Sequence, residues 1–170
     1  MTEVWKDGAI SEDDWEIVSG DDPIPADRPA FIPLDRWRDV RDELSSRNAA
    51  LGLLLAPDSV WDDIVDDLPR FPAIAIAFPK YADGRGFSIA RLLRDRDGFR
   101  GEIRAVGEYF VDQMPYLRRV GFDAFALSDP KVRDALKRGV WPEVPFYLQP
   151  AEGDREVPDG TRPWARRPVD

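Results

Sequence analysis

The 170-residue sequence contains no cysteine and no histidine. The first absence excludes disulfides, thiolate nucleophiles and iron–sulfur ligation. The second removes the commonest general base and, with cysteine, the usual zinc and haem ligands. No apolar run approaches the roughly 20 residues needed to span a bilayer, and no basic-then-apolar leader opens the chain. The expected location is therefore cytoplasmic. Bases are also scarce: 24 Lys and Arg face 33 Asp and Glu, a net charge of -9. That balance argues against nonspecific nucleic-acid or anionic-membrane binding, which needs a basic surface.

Aromatic and apolar mass is plentiful, with six Trp, four Tyr, nine Phe and 43% hydrophobic residues. This suffices for one packed core at a length typical of a single domain. The charge is unevenly spread. Residues 1–70 hold 18 acids and 7 bases, whereas residues 80–138 hold 9 acids and 13 bases, mostly arginine. The chain reads as an acidic arm over residues 1–30, with a short strand near Trp15 to Val18, one domain over 31–149, and an extended or disordered tail over 150–170.

Within the domain a short apolar run bounded by Pro or Gly alternates with a segment of three-or-four spacing. Runs begin near Phe31, Leu51, Ala73, Glu102, Phe122 and Val144. Each interval accommodates a strand, two loops and a short helix, the pattern of βα units. The prediction is an α/β fold of about six mostly parallel strands, an open sheet or an incomplete (β/α) barrel. Helix starts are marked by Asp35, by Asp58 or Ser59, by Ser88, by Asp112 with Pro115 in its first turn, and by Asp129 followed by Pro130.

The loop most suited to binding follows the Ala73 run: Asp83-Gly84-Arg85-Gly86-Phe87-Ser88. Two glycines allow close backbone approach, a following helix offers N–H groups to an anion, and Arg85 could grip an oxyanion with two donors. Arg91 and Arg94 lie on the next helix. Arg104, inside an apolar strand, needs either a carboxylate partner or a place lining a site, and it shares a strand face with Glu102. Asp112 and Gln113 are candidates for a supporting shell. Each feature also has an ordinary reading: Gly-Arg-Gly as a turn, Asp83 as a partner for Arg85, Asp112 and Asp129 as caps. The pairs Asp13-Asp14, Asp21-Asp22, Asp62-Asp63 and Asp66-Asp67 read as solvated acids, with no metal site expected. No complete GxGxxG or Walker A sequence occurs. A cofactor is left unknown.

The stretch Asp83 to Arg94, with Gly98-Phe99-Arg100-Gly101-Glu102-Ile103-Arg104-Ala105-Val106-Gly107, Asp112-Gln113 and Gly121-Phe122-Asp123-Ala124-Phe125, resembles the bacterial family catalogued as domain of unknown function 934. The resemblance extends over roughly Trp37 to Gln149. Members are often labelled oxidoreductases involved in sulfite reduction, a label drawn from genomic neighbourhood, and no catalytic residues carry over. The resemblance implies an accessory role in assimilatory sulfite or sulfate reduction. The Arg-rich loop would then bind a small anion, or a sulfite reductase or sulfonucleotide reductase partner. A redox enzyme with a noncovalent flavin or nicotinamide, and a noncatalytic interaction scaffold, are the alternatives. With no Cys or His, this chain cannot itself be the sulfite-reducing haemoprotein.

Overall fold

The computed structural model describes residues 2–142, 156–159 and 162–168. Its centre is an eight-stranded curled sheet. The strands are β1 (Thr2–Lys6), β2 (Ala9–Asp13), β3 (Glu16–Ile17), β4 (Ala30–Pro33), β5 (Leu51–Leu55), β6 (Ala73–Phe78), β7 (Glu102–Gly107) and β8 (Ala124–Ala126). Their spatial order is β2-β1-β8-β7-β6-β5-β4-β3. Neighbours from β3 to β8 are parallel, while β1 is antiparallel to both β8 and β2. The helices are α1 (Leu34–Val40), α2 (Arg85–Asp95), α3 (Met114–Arg119) and α4 (Pro130–Lys137). A 3-10 stretch, Asp62–Arg70, stands where a helix was expected between β5 and β6, with Pro69 inside it and non-helical angles at Ile64.

The parallel strands follow one another in sequence order. Right-handed crossovers between successive neighbours all land on the same face, and the side chains divide accordingly. On one face Ile74 and Ile76 of β6, Ile103 of β7 and Phe125 of β8 join Trp37, Ile89, Leu93, Leu117 and Val132 in the main core. The buried positions of α2 include Gly86, Ile89, Ala90 and Leu93, the three-and-four spacing of one helical stripe. Burying Ile89 or Leu93 contributes about 1.5–3 kcal/mol each. The opposite face carries the alternate residues, Phe31, Ala73, Ala75, Val106 and Ala126, packed with Trp15, Leu54 and Ala77.

Strands β1 to β3 bring part of residues 2–30 into the sheet. Val4 and Trp5 of β1 are buried, because β1 lies inside the sheet, between β8 and β2. Asp7 and Gly8, both at positive φ, turn the chain into β2. Strands β2 and β3 are the two edges of the sheet, yet only Asp14 and Trp15 separate them in sequence. Three Cα steps reach at most about 11 Å, so the sheet must curl until its edges meet there. Acidic, turn-rich composition hid this closure: β2 and β3 together carry few of the apolar residues by which strands are recognised.

The run beginning at Val144 lies outside the described residues. Within the expected tail, β9 (Glu156–Asp159) and β10 (Arg162–Pro168) pair as an antiparallel ribbon. Among the described residues no helix is long and apolar enough to cross a membrane.

Candidate functional site

The sequence points first to the loop after β6. Helix α2 begins at Arg85, three residues before the expected cap Ser88, which is an exposed residue of its first turn. The anion position at this helix end is filled from within. The Asp83 carboxylate accepts from the Arg85 backbone N–H (3.2 Å), from Arg85 Nε (2.9 Å) and from Nη2 (2.7 Å). These contacts hold Asp83 below, and Arg85 above, its ordinary pKa. An incoming oxyanion would have to displace a carboxylate that already uses the same donors.

Gly86 serves packing rather than phosphate approach. A Cβ built there would lie 2.6 Å from Phe78 Cζ and 3.2 Å from Ile76 Cγ2, so its lack of a side chain lets α2 sit directly on β6. A Cβ on Gly84 would meet nothing within 4 Å.

The other arginines point elsewhere. Arg91 pairs with Asp95 one helical turn on, at 2.9 Å. Arg94 clamps the amino ends of β7 and β8: it donates to the carbonyls of Phe99, Gly101 and Gly121 and to the Asp123 carboxylate, which in turn accepts from Ile103 N–H. Arg104 lies on the inner face of the sheet, opposite the helices, so Arg85, Arg94 and Arg104 do not converge. Asp112 is exposed in a 3-10 turn, Val111–Gln113, rather than capping α3. Gln113 does reach the loop, donating from Nε2 to the Tyr81 carbonyl at 3.2 Å and accepting from the Phe110 N–H at 2.9 Å.

That tether assembles a rim at the carboxyl ends of the strands, where parallel α/β sheets present their ligands. Tyr81, after β6, and Phe110, after β7, face each other with ring centroids 4.8 Å apart. They remain 53% and 46% exposed. Beside them a hollow of about 370 Å³ is lined by Glu108, Tyr109, Ser128, Asp129 and Pro130 among others. Asp129 caps α4 through the Lys131 N–H at 2.8 Å, with Pro130 in the first turn, as the sequence predicts. Tyr109 is buried and donates to the Ala126 carbonyl, and burial raises its pKa.

The second site is the inside of the curl. Arg104 Nη1 donates to Asp13 Oδ2 at 2.6 Å, and Nε donates to Glu102 Oε1 at 2.8 Å. Glu102 also accepts from Lys6 Nζ at 2.9 Å, which raises the Lys6 pKa. The guanidinium carbon lies 5.2 Å from the Phe31 ring centroid and 5.7 Å from that of Trp15, and these two rings stack at 4.3 Å. Burial pushes the Asp13 carboxyl above its ordinary pKa, against the opposing pull of Arg104 and the Trp15 N–H. A cavity of about 570 Å³ opens here, bounded by Asp13, Trp15, Phe31, Arg104, Val106 and Ala126 together with more exposed charges. Its wall includes the small side chain of Ala126.

Of this second site the sequence marks Arg104 and its facing neighbour Glu102. It misreads Asp13, taken with Asp14 as a solvated pair. The sequence puts Trp15 and Phe31 on strands, but nothing local joins Trp15 to a residue on β7. The alternation Asp13, Trp15, Ile17 is the period-two signal that could have done so. The remaining acid pairs are mainly surface ion-pair members: Arg38 bridges Asp35 and Asp63, and Arg96 bridges Asp62 and Asp97. Among the described residues no three carboxylates converge to hold a metal ion.

The model of a family described as "Bacterial protein of unknown function (DUF934)" matches residues 52–156. The chain belongs to that family. The matched region begins inside β5 and takes in β6, β7, β8 and the helices between them, hence the Arg85 loop, Arg104 and the Tyr81–Phe110 rim of this DUF934 member. Asp13, Trp15 and Phe31 lie before it. No curated protein and no solved structure shows significant similarity to the chain.

Proposed function

We propose that this DUF934 protein is an accessory binding protein of assimilatory sulfite reduction that engages a reductase partner through the carboxyl rim of its sheet. The observation that carries the reading is the Tyr81–Phe110 pair, about half exposed, with Arg85, whose side chain is 60% exposed, four residues after Tyr81 in the same loop. Tyrosine and arginine are enriched among residues that dominate binding energy at interfaces, and aromatic rings supply large contact area. Internal pairing of Arg85 with Asp83 favours the partner reading over capture of a free anion, because the Nε and Nη2 donors that would grip an oxyanion side by side already hold the Asp83 carboxylate. The sulfite setting comes from the family resemblance.

A flavin or nicotinamide nucleotide suits this protein less well. Its phosphates would need a basic or glycine-rich cradle. The walls of the larger cavity carry Asp13, Asp14, Glu16 and Asp27 against Arg28 and Arg104, an acidic surplus.

The test is direct binding of the purified protein to sulfite reductase and sulfonucleotide reductase from the same bacterium. The double variant Tyr81→Ala/Phe110→Ala should weaken the interaction at least tenfold, and Arg85→Glu should weaken it further, with unchanged melting temperatures. No complex with either reductase, or a complex indifferent to all three substitutions, would overturn the reading.

A further inference from the structure

The cavity inside the curled sheet is independent of the rim, and its walls specify a ligand class. The inner face of the curl is built largely from small side chains: along β6 every inward position is alanine, Ala73, Ala75 and Ala77, while the outward positions are Ile74, Ile76 and Phe78, and Ala126 of β8 borders the cavity itself. Where a larger side chain does point in, at Phe31, its strand neighbour is cut back to glycine. A Cβ on Gly52 would lie 2.6 Å from the Phe31 ring. The cavity of about 570 Å³ falls within the usual size range for small-molecule sites, and its lining sets four carboxylates and two arginines beside Trp15, Phe31, Val106 and Ala126.

Charge decides between ligands. The two cations in the wall are already matched: Arg104 by Asp13 and Glu102, Arg28 by Glu16 at 3.7 Å and Asp27 at 3.5 Å. Asp14, exposed at the mouth, makes no ion pair among the described residues. An entering anion would meet surplus carboxylate and would have to break the Arg104–Asp13 pair. An entering cation meets that carboxylate unopposed, together with the rings of Trp15 and Phe31, which already hold one planar cation, the Arg104 guanidinium, at 5.7 and 5.2 Å.

We propose that this cavity is a binding site for a small organic cation of the amine or amidine class, its charge held by Asp14 at the mouth within the acidic surplus to which Asp27 contributes, and its apolar body laid against Trp15. Sulfur and phosphorus oxyanions are excluded by the same walls.

Three probes of one shape and different charge test the assignment: benzamidine (cationic), benzamide (neutral) and benzoate (anionic). Each is titrated into the full-length protein by calorimetry and by NMR of the tryptophan indole N–H signals, Trp15 being assigned by its loss in Trp15→Phe. Benzamidine should bind saturably and shift the Trp15 signal, and benzoate should not. Asp14→Asn and Asp27→Asn, both at exposed positions, should each weaken benzamidine about fivefold, the size of one unit-charge attraction through water. Equal binding of benzoate, no saturable binding of benzamidine at millimolar concentration, or benzamidine binding unchanged in the Asp14→Asn/Asp27→Asn double variant would each overturn the proposal.

Discussion

Arg104 of β7, in the middle of the sheet, donates to Asp13 of β2, at its edge, at 2.6 Å, with both side chains less than a tenth exposed. A bond between a central and an edge strand is possible only because the sheet curls, so this pair reports directly on its closure. Removing one member of a buried ion pair leaves a charge that has lost water without full compensation. Asp13→Ala should therefore destabilise the protein by about 3 kcal/mol, the lower end of the range for broken buried pairs because Glu102 still accepts from Arg104. Urea unfolding checks this. A loss below about 1 kcal/mol would mean that the pair does not hold the curl closed.

Gly86 and Gly84 offer a paired prediction. Gly86→Ala places a Cβ 2.6 Å from Phe78 Cζ, in a contact between helix and strand that cannot open freely. Overpacking of this kind costs about 1–3 kcal/mol, offset in part by the gain of about 1 kcal/mol for alanine over glycine in a helix. Gly84→Ala meets nothing within 4 Å and has an ordinary φ of -79°. Thermal unfolding should show a lowered midpoint for the first variant and almost none of that loss for the second. The reverse order would indicate that α2 does not rest on Phe78.

Much of the parallel sheet was legible because its strands bury apolar residues on both faces and its helices repeat them every three or four. The runs at Leu51, Ala73 and Glu102 open β5, β6 and β7, and Asp129-Pro130 opens α4. The short strand expected near Trp15 to Val18 is β3, but β1, β2 and the pairing of all three were not legible, since that pairing depends on edges that meet only after the sheet has curled. The candidate loop was legible as a set of residue types but not as a geometry. Arg85, Arg94 and Arg104 are near one another in sequence, but a two-sided sheet with one helical layer sends them to the carboxyl rim, the amino ends and the inner face. Whether Asp83 would take the donors of Arg85 is a matter of loop conformation that composition does not determine.

The Arg94 clamp predicts that charge alone will not substitute for shape. Its guanidinium reaches three backbone carbonyls and the Asp123 carboxylate, with both Nη atoms and Nε in use. A lysine presents one compact ammonium and cannot span these acceptors. Arg94→Lys should cost about 2–4 kcal/mol through acceptors left unsatisfied at a partly buried site. Urea unfolding with an unchanged m-value would assign the loss to the native clamp, and a near-neutral result would show that water replaces the guanidinium. Neither rim nor cavity binding should change, because Arg94 touches neither.

Asp97 gives the pH prediction. Its Oδ2 accepts from Trp61 Nε1 at 2.7 Å and its Oδ1 from Arg96 Nε at 2.7 Å, with the side chain 4% exposed. Burial alone would raise its pKa, but the hydrogen bonds from Arg96 and Trp61 and the charge of Arg96 outweigh it, and the net shift is downward from 3.8. A carboxylate with a depressed folded-state pKa contributes stability that is present above its unfolded value and lost as pH falls through the folded one. Asp97→Asn keeps an oxygen to accept from Trp61 while removing the charge. Wild type and variant should therefore differ in stability at neutral pH and converge below about pH 4, followed by urea titrations with Trp emission as the signal. Curves that stay parallel through that range would show that Asp97 titrates no differently in the folded and unfolded chains.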